Sequence, residues 1–431
     1  MKKEKNSLKQ EKLLEFLRKN TFLTIGCTDP IGIALAVAWA KSVIDGDVLS
    51  IKVIADKNII KNAFAVKIPG VGEGGIELAA ALGYISGVPE KGLLLLGNIS
   101  NQEISQAKQI VGRKIVTFET LTQCNSIHIE AIVETNKGVA RALLTERHDH
   151  LAGLWLNNTL IKSSSENLEI NNHYSEFNDV PTIEEMIEVI EKIDTNQYEF
   201  LYEGVTTNME AAEYGLKLGD KDLAVGSRLQ SFYKEVQDTS FIGKVRVLTG
   251  AAADTRMSGQ TVPITGCFGS GNHGITLFIA LGLLGESLKK DKETLLKALC
   301  LAELLTGYVK NHTGILTPHC GCSLAAGIGA AGGGAYLLGG NSKQILNAIN
   351  LVTATLFGTI CDGAKETCAL KISNAAGIAI ESSFLAVSQN AKLSSQGVVG
   401  KSFLDTLANI KNLTEKGYSN LDVELINVLK V

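Results

Sequence analysis

The chain has 431 residues, enough for two domains or one large two-lobed domain with a substantial core. Hydrophobic residues make up 45% and charged residues 20%, an ordinary balance for a soluble globular protein. Its 41 basic and 45 acidic residues give a net charge of −4, which offers neither a nucleic-acid footprint nor a basic membrane-binding patch.

The opening MKKEKNSLKQEKLLEFLRKN has no continuous apolar stretch and does not read as a signal peptide; Leu8, Leu13, Leu14 and Leu17 fall at helical spacing and suggest a surface helix. A helix of small and apolar residues follows over 31–43, then the β-branched run VLSIKVIAD ending at Asp56. The turn with Gly70, Gly72, Gly74 and Gly75 feeds an alanine-rich helix. KIVTFET, IHIEAIVETN and VARALLTERH alternate as strands, the last two pairing as a hairpin across Asn136-Lys137-Gly138. A polar tract, SSSENLEINNHYSEFNDVP, precedes an acidic helix that Thr182 and Glu185 begin as a capping box. From about Leu201 strand signals nearly vanish, and the segments read as helices with Ala and Gly on their packing faces. The fold class is therefore α+β, with a mixed-sheet portion over 1–200 and a largely all-helical portion over 201–431. No segment reads as a membrane span, and eight cysteines point to thiol or metal chemistry in a reducing, cytoplasmic setting.

Three short stretches carry thiols at helix starts. GCTDP places Cys27 on a glycine-led turn, with Thr28 or Asp29 as the helix cap and Pro30 in the first turn. HCGCSLAAG places Cys320 and Cys322 before a helix, and CDGAKETC begins with Cys361 at the expected start of another, which leaves Cys368 as a core residue two turns along. Cys124 and Cys300 read as core. Three thiolates from distant parts of the chain suit a [4Fe–4S] cluster with one open iron, a Lewis acid for a leaving group. The loop GCFGSGNHGI supplies an anion site in which Ser270, Gly271 and Asn272 receive a substrate carboxylate. Arg256 either joins that site or forms a structural pair with Asp254. Lys365 and His273 are candidate proton acceptors, and His148 and His150 stand at a strand end.

Taken in order, GCTDP, KIPGVGEGG, ADTRMSG, GSGNHG, CGCSLAAGIGA and ICDGAKETCALK resemble the L-cysteine desulfidase family, which is related to the iron–sulfur L-serine dehydratase α-subunit. That resemblance implies a [4Fe–4S] enzyme converting L-cysteine and water to pyruvate, ammonia and hydrogen sulfide. It carries the cluster cysteines onto Cys27, the Cys320/Cys322 pair and Cys361. The sequence departs from the family pattern at His273, where a glutamine is usual, and at Cys267, an additional thiol. The expected partner is a small amino acid, with no nucleic acid and no membrane, and a homo-oligomer is compatible with the sequence. Three alternatives stay open: the same iron chemistry acting on L-serine, a pyridoxal-phosphate lyase built on GSGNHG, and a closed structural cluster or zinc site on Cys27, Cys320, Cys322 and Cys361.

Overall fold

The computed structural model describes residues 2–124, 126–163, 180–219, 222–388, 395 and 397–429. Most of the polar tract expected after the hairpin lies outside the described residues. Among the described residues there are eight strands: β1 Thr21–Ile25, β2 Val48–Asp56, β3 Val116–Leu121, β4 His128–Thr135, β5 Gly138–Thr145, β6 Leu151–Leu156, β7 Thr159–Ser163 and β8 Pro263–Cys267. The helices of the first part are α1 Lys2–Asn20, α2 Thr28–Lys41, α3 Lys57–Ala63, α4 Ile76–Ser86 and α5 Asn101–Gly112. Those of the second are α6 Ile183–Ile190, α7 Glu199–Gly215, α8 Val225–Glu235, α9 Phe241–Met257, α10 Gly271–Gly274 and α11 Ala280–Ser287, followed by α12 Lys292–Thr313, α13 Ala325–Leu337, α14 Ser342–Leu356, α15 Cys368–Ser388, α16 Phe403–Asn412 and α17 Leu421–Leu429.

The α+β expectation holds. Six strands form one mixed sheet in the order β3-β2-β4-β5-β6-β7, with only β2 and β3 parallel. Strand β2 occupies the predicted run, and β4 and β5 pair from Thr135–Gly138 outward as the predicted hairpin. Alternation sets the buried face: Ile129, Ala131 and Val133 of β4 and Ala140, Ala142 and Leu144 of β5 are fully buried, and α2 covers them. The capping box at Thr182 is present in full, with both the side chain and the backbone of Thr182 engaged by Glu185.

The second core is built from helices, and its membership does not follow chain order. Leu13, Phe16 and Leu17 of α1 and Ile183, Met186 and Ile190 of α6 are buried in it, so α1 is a core helix along this face rather than a surface one. Each such side chain contributes roughly 1.5–3 kcal/mol by leaving water. Helix α13 lies against α12 with almost no space between them: a Cβ on Gly329 would stand 2.4 Å from the Ala302 carbonyl oxygen. Only glycine permits that approach. Helix α15 packs on α9, α13 and α14. By length and composition alone it could cross a membrane, but it carries Lys371 and Glu381, and Ile372, Ala376 and Ile380 are buried in the helical core.

One pairing was not expected. Strand β8 interrupts the helical part and pairs antiparallel with β1, from Thr21↔Cys267 to Ile25↔Pro263. This two-stranded ladder joins the start of the chain to the strand that leads into the glycine loop, about 240 residues on.

Candidate functional site

Gly26 and Cys27 follow β1 directly, and Cys27 is itself the N-cap of α2, at φ −80° and ψ 132°. Neither Thr28 nor Asp29 caps the helix, as the sequence suggested; both belong to its first turn and are turned to other partners. The Thr28 hydroxyl donates to the Gly269 carbonyl at 3.1 Å, which fastens the helix start to the glycine loop. Asp29 lies between the Cys27 thiol, 3.4 Å from Oδ2, and the His148 Nε2, 3.1 Å from Oδ1. Burial pushes the Cys27 thiol well up, Asp29 adds to that, and Arg256 opposes it.

The other thiols are gathered by a second local pairing. The amide of Cys320 donates to Thr359 O at 2.7 Å and that of Cys361 to Pro318 O at 2.8 Å, around a bridge between His319 and Ile360. Two loops that end separate helices are thereby laid together. Cys361 does not begin a helix: Gly363, at φ +96°, turns the chain against the Lys61 carbonyl, and α15 starts only at Cys368. The thiol at a helix start is therefore Cys368. It packs partly buried against the core, as expected, and also lines the same cavity as Cys27, Cys320, Cys322 and Cys361. The Cys322 hydrogen bond, followed by Ser323, holds the Cys320 thiol below its ordinary range, while the same bond raises Cys322.

Two cations without an ion-pair partner among the described residues, Arg256 and Lys310, line the same cavity. Arg256 is almost fully buried on α9, its Nε has no hydrogen-bond partner, and its guanidinium lies against Gly271 so closely that a Cβ there would be 2.4 Å from Nε. The structural pair with Asp254 is not formed; Asp254 accepts the Gly226 amide at 2.7 Å. Ser270 accepts the Asn272 amide at 3.2 Å, and Asn272 Oδ1 is buried without a donor. Helix α10 runs through a π turn at Ile275–Ile279 into α11, so the loop opens one continuous helix.

His273 hydrogen-bonds through Nδ1 to the Cys267 carbonyl at 3.0 Å. A carbonyl only accepts, so Nδ1 carries the proton and Nε2 presents a lone pair. That Nε2 and the Lys310 ammonium both face Gly321, at 2.6 and 3.3 Å from the position of a Cβ there. Burial, reinforced by Lys310, lowers His273 to about 3, which keeps the ring neutral. Lys310, lowered by burial to about 8, was not singled out from sequence. Its signal was a lysine four residues after Thr306 on the buried stripe of α12.

Not every predicted residue reaches the cavity. Lys365 is ion-paired to Asp362, which also binds Lys371, and is not among the residues lining it. His150 bonds the Thr145 carbonyl at 3.2 Å beside the strand end, whereas His148 is buried against Asp29. Cys300 is fully buried, but Cys124 lies in a half-buried turn near Ser126 rather than in the core.

Among the described residues, no three His, Cys, Asp or Glu side chains converge tightly enough to hold a single metal ion. A multi-iron cluster spreads its thiolates wider than one ion does. Five thiols, an arginine with an orphaned Nε and a buried lysine in one cavity suit such an anionic, sulfur-rich group.

Comparison with known proteins agrees with this donor set. The sequence profile described as serine dehydratase alpha chain matches residues 90–427. A UPF0597 protein of Clostridium botulinum is 34% identical over 423 residues, covering 97% of this chain and 96% of the relative. UPF0597 proteins of Clostridioides difficile and Caldanaerobacter subterraneus are 33% and 32% identical, each over at least 96% of both chains. The chain belongs to the serine dehydratase alpha-chain family, whose members are in general iron–sulfur-dependent lyases.

Proposed function

We propose that the protein is a β-eliminating lyase that degrades L-cysteine to pyruvate, ammonia and hydrogen sulfide in the cytoplasm. The observation that carries this reading is the gathering of Cys27, Cys320, Cys322, Cys361 and Cys368 in one cavity with the unpartnered Arg256. Thiolates from among these cysteines would hold a [4Fe–4S] cluster. When bound, the cluster would supply an open iron that takes the substrate sulfur and stabilises sulfide as it leaves. Arg256, with Ser270, Gly271 and Asn272, holds the substrate carboxylate, which supplies the anion that the buried guanidinium lacks. His273 accepts the α-proton at Nε2, the ring nitrogen left without hydrogen by the bond to Cys267. Lys365 is held by Asp362 and takes no part. The aminoacrylate set free tautomerises and hydrolyses in water to pyruvate and ammonia.

The family description favours L-serine as a second substrate, for which the same residues serve and hydroxide is the leaving group. Iron and acid-labile sulfide on protein purified without oxygen should reach about four of each per chain. Pyruvate release from L-cysteine should then exceed that from L-serine in kcat/KM. The reverse order would assign the serine reaction, and the absence of iron after reconstitution would end the cluster reading. Single alanine substitutions of Cys27, Cys320, Cys322 and Cys361 should abolish cluster assembly or turnover at three of the four.

A further inference from the structure

An α-amino acid brings two charges into a site, and the proposed reading accounts for only the carboxylate. The residues lining the cavity include two cations, Arg256 and Lys310, and a single carboxylate, Asp29. Asp29 is 4% exposed and shares the cavity with Arg256 without forming an ion pair. Its position is fixed from behind. His148, in the turn between β5 and β6, is 2% exposed and hydrogen-bonds through Nε2 to Oδ1 at 3.1 Å. Because a carboxylate only accepts, Nε2 is the donor, and Oδ1 is satisfied on the side away from the cavity. The Thr28 hydroxyl bond to Gly269 holds the same helix turn against the carboxylate loop. Oδ2 faces only the Cys27 thiol, a weak donor at 3.4 Å. A buried carboxylate oxygen then calls for a new donor.

We infer that Asp29 is the receptor for the substrate α-ammonium and that His148 is the residue that positions it. The site thus selects α-amino acids over their desamino counterparts, with the carboxylate at Arg256 and the ammonium at Asp29. This rests on the amino-acid lyase reading of the cavity and deepens it.

The test compares L-alanine with propanoate, which differ by the ammonium and carry no leaving group, as ligands of the iron-loaded protein in calorimetry. The native protein should bind L-alanine at least about tenfold more tightly, the usual effect of a charge-assisted hydrogen bond. Asp29→Asn should bring the two affinities together while iron and sulfide content stay unchanged. His148→Gln, which removes only the support, should reduce the preference several-fold, and it carries the test if Asp29→Asn does not fold. A preference that survives in both variants would overturn the assignment and leave the lyase reading standing. So would loss of iron in Asp29→Asn with the preference intact in His148→Gln, since Asp29 would then serve Cys27 alone. Failure of the native protein to bind or turn over any amino acid would remove both.

Discussion

Lys61 and Arg256 are equally deep in the protein, and only one of them has an anion. Lys61, on α3, is ion-paired to Asp422 of α17 at 2.5 Å and donates to Asn58 Oδ1 at 3.0 Å. Arg256, on α9, has an orphaned Nε, and the residues around it repeat the pattern: Asn272 Oδ1 and His319 Nδ1 are also buried without partners. A buried charge that is paired and bonded belongs to the architecture, here the fastening of the last helix to the sheet part. A buried charge left unpaired is tolerated only if something else arrives to meet it. The difference marks where the molecule is complete and where it expects a ligand.

Lys61→Met should be the most damaging change to stability. It strands Asp422 as an uncompensated buried charge, at a cost of about 3–5 kcal/mol in denaturant unfolding. The double change Lys61→Met with Asp422→Leu should recover most of that, since neither charge remains. Arg256→Met should behave in the opposite sense. The metal-free protein should unfold at unchanged or higher denaturant concentration, because no partner is stranded. Turnover should fall about 10²–10³-fold, the effect of losing charge-assisted bonds to a carboxylate. Loss of stability at Arg256 comparable to that at Lys61 would break the distinction.

Glu303 extends the comparison to an acid that is buried yet fully served. It is completely buried on α12, within 2.9 Å of the Thr21 hydroxyl, which itself donates to Leu17 O at 2.8 Å. The Thr21 hydroxyl also donates to the Glu303 carboxyl, and burial, opposed by the bonds to Thr21 and Cys267, raises that carboxyl from 4.5 to about 8. Between pH 4.5 and 8 the folded protein keeps a proton that the unfolded chain has lost. Stability attached to this group therefore declines as pH rises through that window. Glu303→Gln cannot ionise and keeps an amide oxygen that accepts from Thr21. Its thermal stability relative to the native protein should improve steadily from pH 5 to pH 8, by on the order of 3 kcal/mol. A constant difference would show that Glu303 is ionised in the folded protein.

Local rules read well where the chain is its own context. Strand β2, the β4–β5 hairpin and the Thr182 capping box depend on neighbours within a few residues, and alternation or a four-residue motif exposes them. Strand β8 was invisible because PITGC has too few β-formers to announce itself and its partner lies far away at TFLTI. The helix expected from Cys361 failed for a local reason that needs three dimensions to see. Asp362 is drawn to Lys365 and Lys371, and Gly363 adopts a left-handed turn, so the helix begins seven residues later and delivers Cys368 to the cavity. The cysteine motifs and the GSGN loop were legible as chemistry. Asp29 was legible only as a helix cap, His148 only as a histidine at a strand end and Lys310 not at all, because their meaning lies in what surrounds them: a lysine on an amphipathic helix carries no mark of whether its ammonium ends in water or against thiols.

Lys310 gives the smallest effect and the finest discrimination. It is as deep as Lys61 and, like Arg256, stands in the cavity, with its ammonium over Gly321 between Cys320 and Cys322. Burial is the largest influence on it, and the nearby thiols offset that only in part. In metal-free protein it is a cost, so Lys310→Met, which keeps the stem and removes the charge, should leave stability unchanged or raise it by about 1 kcal/mol. In iron-loaded protein the same change would remove a buried cation from beside the cysteines, and the loaded form should release iron to a chelator several-fold faster. A variant that is destabilised without metal and indifferent with it would place Lys310 beside Lys61, among the cations the architecture needs for itself.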